Sequence, residues 1–95
     1  MNRTHHIASL LRTHGLRLTH QRRMILNVVL QQPGHFAVET IYAQVAQLDP
    51  SINLATVYRT LHRLVHAGVL RTLDAGGERL LFEVADAQVH HHLIC

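Results

Sequence analysis

The stretch Asn53-Leu54-Ala55-Thr56-Val57-Tyr58-Arg59-Thr60-Leu61-His62-Arg63-Leu64 decides how this chain reads. Asn53 supplies a side-chain acceptor suited to capping a helix start, and Leu54, Val57, Leu61, Leu64 and Val65 recur at spacings of three and four. This spacing predicts a short helix with one buried face. It leaves Thr56, Tyr58, Arg59, Thr60, His62 and Arg63 largely outside the core, with Tyr58, Arg59 and Arg63 as contact groups. Hydroxyls, a phenol and guanidiniums on one helix can bond phosphates and base edges in a major groove. The competing reading is an ordinary amphipathic helix with a solvated polar face.

The flanking sequence favours the first reading. Asp49-Pro50-Ser51 breaks the chain before this helix, and Gly68 closes it. A preceding helix is predicted over 37–48, with Ile41, Tyr42, Val45 and Leu48 on its buried side. Thr19 can cap an earlier one, in which Ile25, Leu26, Val28 and Val29 are apolar, Gln21, Arg22 and Arg23 face out, and Pro33-Gly34 is the stop. Residues 4–14 read as the first helix, with Ile7, Leu10 and Leu11 inward and Gly15 at its end. After Gly68 the period becomes strand-like. Residues 69–73 and 79–84 flank Asp74-Ala75-Gly76-Gly77-Glu78, a loop of turn formers, and predict a hairpin. The expected fold is therefore mainly α with a small antiparallel β-hairpin, a winged helix-turn-helix over residues 1–85. The helix over 37–48, the break at 49–53 and the next helix form the helix-turn-helix, and the hairpin is the wing. Winged helices also serve as protein-docking modules, so the order of elements alone leaves that alternative open.

Composition bounds the function. The chain has 95 residues, enough for one small core, and a formal charge of +3 that rises if any of its ten His protonate. All nine of its basic residues other than His are Arg, the better fork for phosphate and guanine. That balance suits a polyanionic partner. No apolar run approaches a membrane span, no secretory signal pattern opens the chain, and Cys95 is the single cysteine. A cytoplasmic protein without membrane association is expected.

The second chemical feature is His90-His91-His92-Leu93-Ile94-Cys95. In an extended segment His90 and His92 point the same way and can converge on one metal while His91 faces elsewhere. Glu83, at the end of the second wing strand, and His35, before the helix over 37–48, could complete a mixed nitrogen and oxygen site. Imidazole ligands do not choose among zinc, iron, nickel and copper. A solvated polyhistidine linker is the alternative. Cys95 alone cannot close a structural zinc site, which takes four ligands. An enzyme would need a general acid or base beside such a centre, and Glu83 is the sole nearby carboxylate, so no catalytic residue is assigned. A metal-buffering or docking module without a DNA role would lack the salt dependence that phosphate contacts impose.

Together these residues resemble the ferric uptake regulator family of metal-responsive repressors, from about Gly15 to Cys95. The resemblance rests on Gly15-Leu16-Arg17-Leu18-Thr19 followed by Gln21-Arg22, and on His35 before a helix bearing Glu39 and Tyr42. It rests further on Ala55-Thr56-Val57-Tyr58-Arg59-Thr60-Leu61 and on the His-His-His-Leu-Ile-Cys terminus. It implies a repressor of metal-uptake genes that binds pseudo-palindromic A·T-rich operators in double-stranded DNA as a homodimer, when loaded with a regulatory divalent metal. Iron is the first expectation and zinc the second, with manganese, nickel or peroxide response as alternatives; Glu83 in place of Asp leans away from the peroxide branch. Tyr58 and Arg59 match recognition-helix positions, with Thr56 beside them, Arg17 a position that enters a narrow minor groove, and Arg22 one near the phosphates. His35, Glu83, His90 and His92 match regulatory metal ligands, and Cys95 the first cysteine of a structural zinc site found in full-length members. The family's dimerisation domain has no counterpart here, so residues 86–95 read as a His-rich hinge leading to it. The domain by itself is expected to be mostly monomeric and to bind DNA weakly.

Overall fold

A computed structural model describes residue 9, residues 11–17, 19–74, 76–77 and 79–85. Residue 9 and residues 11–13 are helical (α1), followed by α2 (His20–Val29), α3 (Val38–Leu48), α4 (Leu54–His66), β1 (Leu70–Asp74) and β2 (Leu80–Val84). The predicted winged helix-turn-helix is what the chain adopts. Ile7, Leu10, Ala75, Glu78 and the hinge over 86–95 lie outside the described residues.

The caps form where the sequence places them. Thr19 Oγ1 accepts from Arg22 N at 3.1 Å to open α2, and Asn53 Oδ1 accepts from Thr56 N at 2.8 Å to open α4. Gly15 and Gly68 have φ of 75° and 85°, the left-handed geometry that lets the chain leave a helix abruptly. Between α3 and α4, Asp49 Oδ1 accepts from both the amide and the hydroxyl of Ser51, at 3.0 and 2.6 Å. This Asx turn directs Ile52 into the core, where it is buried, and so fixes the angle at which α4 leaves the turn.

One core serves every element. Leu11 from α1, Ile25, Leu26 and Val29 from α2, Ile41 and Val45 from α3, and Val57, Leu61 and Leu64 from α4 are fully or almost fully buried with Leu70 and Phe82 of the wing. Burial of each such side chain is worth about 1.5–3 kcal/mol before its ordering cost. The strands are antiparallel, with Leu70 opposite Val84, Arg71 opposite Glu83 and Thr72 opposite Phe82. Phe36 adds a bridge on the other edge of β2: its amide donates to the Phe82 carbonyl and its carbonyl accepts from the Phe82 amide, each at 2.8 Å. The two rings stack at 6.2 Å, tying the wing to the chain just before α3.

Several expectations are corrected. Leu48 is 63% exposed, because it lies in the last turn of α3, past buried Val45, where no described element covers it. Leu54 opens α4 and is also exposed, ahead of the first buried residue, Val57. Thr60 is buried rather than outward; its hydroxyl donates to Thr56 O at 2.9 Å, which satisfies it within the helix. His62 is half-buried, its ring against Phe82 at 5.7 Å edge-on. The first strand is shifted by one residue, so Val69 precedes β1 and Asp74 belongs to it, and the second begins one residue later than expected, so Arg79 precedes β2.

Candidate nucleic-acid interface

α4 presents two working flanks. Thr56, Arg59, Thr60 and Arg63 follow a three- and four-residue spacing, so they share one stripe of the helix. That stripe faces the start of α2, where these four residues line an open cleft with Thr19, Gln21 and Arg22. Tyr58 belongs to the other flank. Its ring lies 4.4 Å from that of His62 and is 46% exposed, above a second cleft formed with residues 37–40, Arg79 and Leu80.

Each guanidinium is set by its neighbours. Arg59 Nη2 donates to Thr56 Oγ1 at 3.3 Å, which draws Arg59 along its own stripe. Arg22 Nη1 donates to the carbonyl of Arg17 at 3.0 Å, holding the Arg22 side chain against the segment before α2. Arg17, Arg22 and Arg63 line a third cleft together with Gly15, Leu16 and Thr19. Partial burial, then the charges of Arg63 and Arg17, hold the Arg22 guanidinium below its ordinary value. It stays charged at any working pH, but it sits among like charges.

Four of the five residues expected to contact DNA therefore gather on one side: Arg17, Arg22, Thr56 and Arg59 line adjoining clefts. Tyr58 stands apart on the opposite flank of the same helix. Arg63, a contact group in the opening motif but not matched to a family position, is brought beside Arg22. Its place four residues beyond Arg59, on the same stripe, is the signal for it in the sequence.

The proposed metal donors are only partly within the described residues. His90, His92 and Cys95 lie outside them. His35 and Glu83 are the chain neighbours of the bridged pair Phe36 and Phe82, so continuing that antiparallel pairing by one residue sets His35 opposite Glu83. His35 is exposed. Glu83 is already engaged, for Arg71 Nε donates to its Oε1 at 2.7 Å. Among the described residues, no group of three or more His, Cys, Asp or Glu side chains gathers to hold a metal. An imidazole and a carboxylate on adjoining backbone suit part of such a donor set. None of the described helices is long and apolar enough to cross a membrane.

Residues 13–95 match the ferric uptake regulator family. The chain belongs to that family. It is 34% identical over 88 residues to the ferric uptake regulation protein of Campylobacter jejuni, covering 90% of this chain and 56% of that protein. Among solved structures it resembles the ferric uptake regulator of Pseudomonas aeruginosa with manganese, at 32% identity and a TM-score of 0.78, over 85% of this chain and 61% of that one. It also resembles a zinc-bound manganese uptake regulator, at 30% identity and a TM-score of 0.76, over 85% and 61% of the two chains. The chain thus spans about half the length of its ferric uptake regulator relative.

Proposed function

We propose that this chain is the DNA-reading domain of a metal-dependent transcriptional repressor of metal-uptake genes. The observation that carries this reading is the double flank of α4, with Arg59 and Thr56 toward α2 and Tyr58 toward the wing. A helix lying in a major groove meets a phosphate strand on each side and base edges between them, and α4 offers suitable groups to all three. Tyr58 and Arg59 contact bases and backbone, Thr56 orients Arg59, Arg17 enters the adjacent minor groove, and Arg22 contacts phosphate. No catalytic residue belongs to this function.

The regulatory metal is a divalent cation held by His35, Glu83, His90 and His92, with residues 86–95 as the hinge that carries the last two. Bound there, the cation supplies a charge that several donors can share. Donors drawn from the loop before α3, from the wing and from the hinge would fix the hinge relative to the helical body. In a homodimer that angle sets the distance between two α4 helices, which must match half-sites about one DNA turn apart. Iron is the metal proposed first, on the name of the Campylobacter relative, and zinc second. Structures of similar proteins carry manganese and zinc, so the donor set does not by itself choose. Cys95 begins a structural zinc site completed beyond this chain. The protein works in the cytoplasm on pseudo-palindromic A·T-rich DNA.

The test is a titration of this chain, and of one continuing into a dimerisation domain, against a labelled A·T-rich palindrome at fixed salt. Fe(II), Zn(II), Mn(II) and chelator are compared. Metal-dependent tight binding by the longer chain alone is expected. Equal affinity with chelator and with every metal would remove the switch and leave a metal-independent DNA binder.

A further inference from the structure

The start of α2 carries more positive charge than a helix face needs for solubility. Arg22 and Arg63 line both clefts on this side of the molecule, and Arg17 stands at the rim of one. No carboxylate lines either cleft, and the first turn of α2 has no acidic residue. Among the described residues neither Arg17 nor Arg63 has a side-chain hydrogen bond or an ion pair, and the one salt bridge between side chains joins Arg71 to Glu83 on the wing. Like charges brought together without a counterion leave a place that an anion would fill.

From this arrangement we infer that Arg22 and Arg63 form a two-guanidinium clamp for a single DNA backbone phosphate, at the flank of α4 opposite Tyr58. The inference rests on the DNA-binding reading above and adds Arg63 to it. Arg22 is the fixed jaw, because its bond to the Arg17 carbonyl holds it before any ligand arrives. Arg63 is the mobile jaw, an exposed side chain near the C-terminal end of α4. Two planar forks can each give paired N–H bonds to phosphate oxygens, a geometry that a Lys cannot reproduce. The N-terminal end of α2 adds its partial positive charge to the same cleft. A phosphate held here fixes how far along the groove α4 sits, so the clamp sets register and reads no base.

The experiment compares the 95-residue chain with its Arg63→Gln and Arg63→Lys variants. Binding to a labelled A·T-rich operator duplex and to a scrambled duplex is measured across a salt series. Wild-type affinity should fall steeply with salt. Arg63→Gln should weaken both duplexes by the same factor, about tenfold, as expected for a lost bond to a charged group. It should also reduce the slope of log affinity against log salt by about one. Arg63→Lys should keep the slope and lose part of the affinity. A variant with the wild-type slope and affinity would overturn the clamp while leaving the DNA-binding reading intact. Loss on the operator duplex alone would make Arg63 a base reader and overturn it too. Wild-type protein without salt-dependent binding to either duplex would overturn both readings together.

A second readout separates the source of the phosphate. The arginine side-chain Nε–H NMR resonances of Arg22 and Arg63 should move with duplex and scarcely with inorganic phosphate. Movement with inorganic phosphate alone would make this a small-anion site and overturn the DNA assignment.

Discussion

Arg71 and Glu83 face each other across the wing, the guanidinium Nε donating to the carboxylate at 2.7 Å. The carboxylate proposed as a metal donor is therefore held by a cation from its own hairpin. A metal bound at the proposed site would have to compete with Arg71 for it. Arg71 is 61% exposed, so solvent screens the pair and its worth is at most about 1 kcal/mol. Arg71→Ala is expected to tighten metal binding by up to about fivefold in calorimetric titration, with the fold unchanged. Weaker binding in the variant would mean that Arg71 positions Glu83 for the metal instead of withholding it.

Arg59→Ala should weaken specific DNA binding by roughly 1–3 kcal/mol if the guanidinium reads a base. Thr56→Ala should produce a smaller loss of the same kind, since Thr56 Oγ1 only steers Arg59. Anisotropy titrations on operator and scrambled duplexes distinguish this from a solvated face, for which neither change would matter.

The cap of α4 links stability to the interface. Asn53→Ala removes the acceptor for Thr56 N and should cost about 1 kcal/mol in urea unfolding. Asn53→Asp, which keeps an acceptor at the same place, should recover most of it.

His62 carries a buried Nε2 that has no hydrogen-bond partner among the described residues, with its ring between Tyr58 and Phe82. A buried polar atom left unpaired costs about 1–3 kcal/mol. His62→Phe keeps the ring and removes that atom, so it should raise the melting temperature by several degrees, about 4–8 °C per kcal/mol in a domain of this size. A lower melting temperature would show that the imidazole is bonded through water.

Ser51 controls an acid-side dependence. Its hydroxyl and then its amide hold the Asp49 carboxyl below the ordinary value of 3.8, aided by His20 and opposed by desolvation. A carboxylate depressed in the folded state adds stability that is present above its unfolded value and lost as pH falls through the folded one. Ser51→Ala should therefore lower stability at neutral pH, and the gap from wild type should close as the pH drops below the carboxylate range. A gap that stays constant with pH would place the effect in the turn's geometry alone.

The helices and their caps were legible because Thr19, Asn53, Gly15 and Gly68 act locally, and because Val57, Leu61 and Leu64 repeat at the helical period. Exposure was less so. Leu48 and Leu54 continue the apolar pattern but sit at helix ends, and periodicity does not say where the covering element stops. His62 looked polar and outward because the aromatic surface beneath it comes from Phe82, twenty residues later in the chain. The gathering of Arg22 with Arg63 was hidden for a similar reason, since it depends on how α2 crosses α4. His35 and Glu83 are grouped in the sequence by their donor chemistry and then by family resemblance; the Phe36–Phe82 bridge supplies a physical reason for their adjacency.

That bridge has a consequence for solubility. It occupies one side of β2 where another molecule's strand could otherwise dock, which leaves the outer side of β1 as the open edge of the sheet among the described residues. β1 is only five residues long and carries Arg71 and Asp74, so it makes a poor template for a strand from another copy. The same Phe36 that anchors the wing thus guards the protein against edge-to-edge aggregation at high concentration.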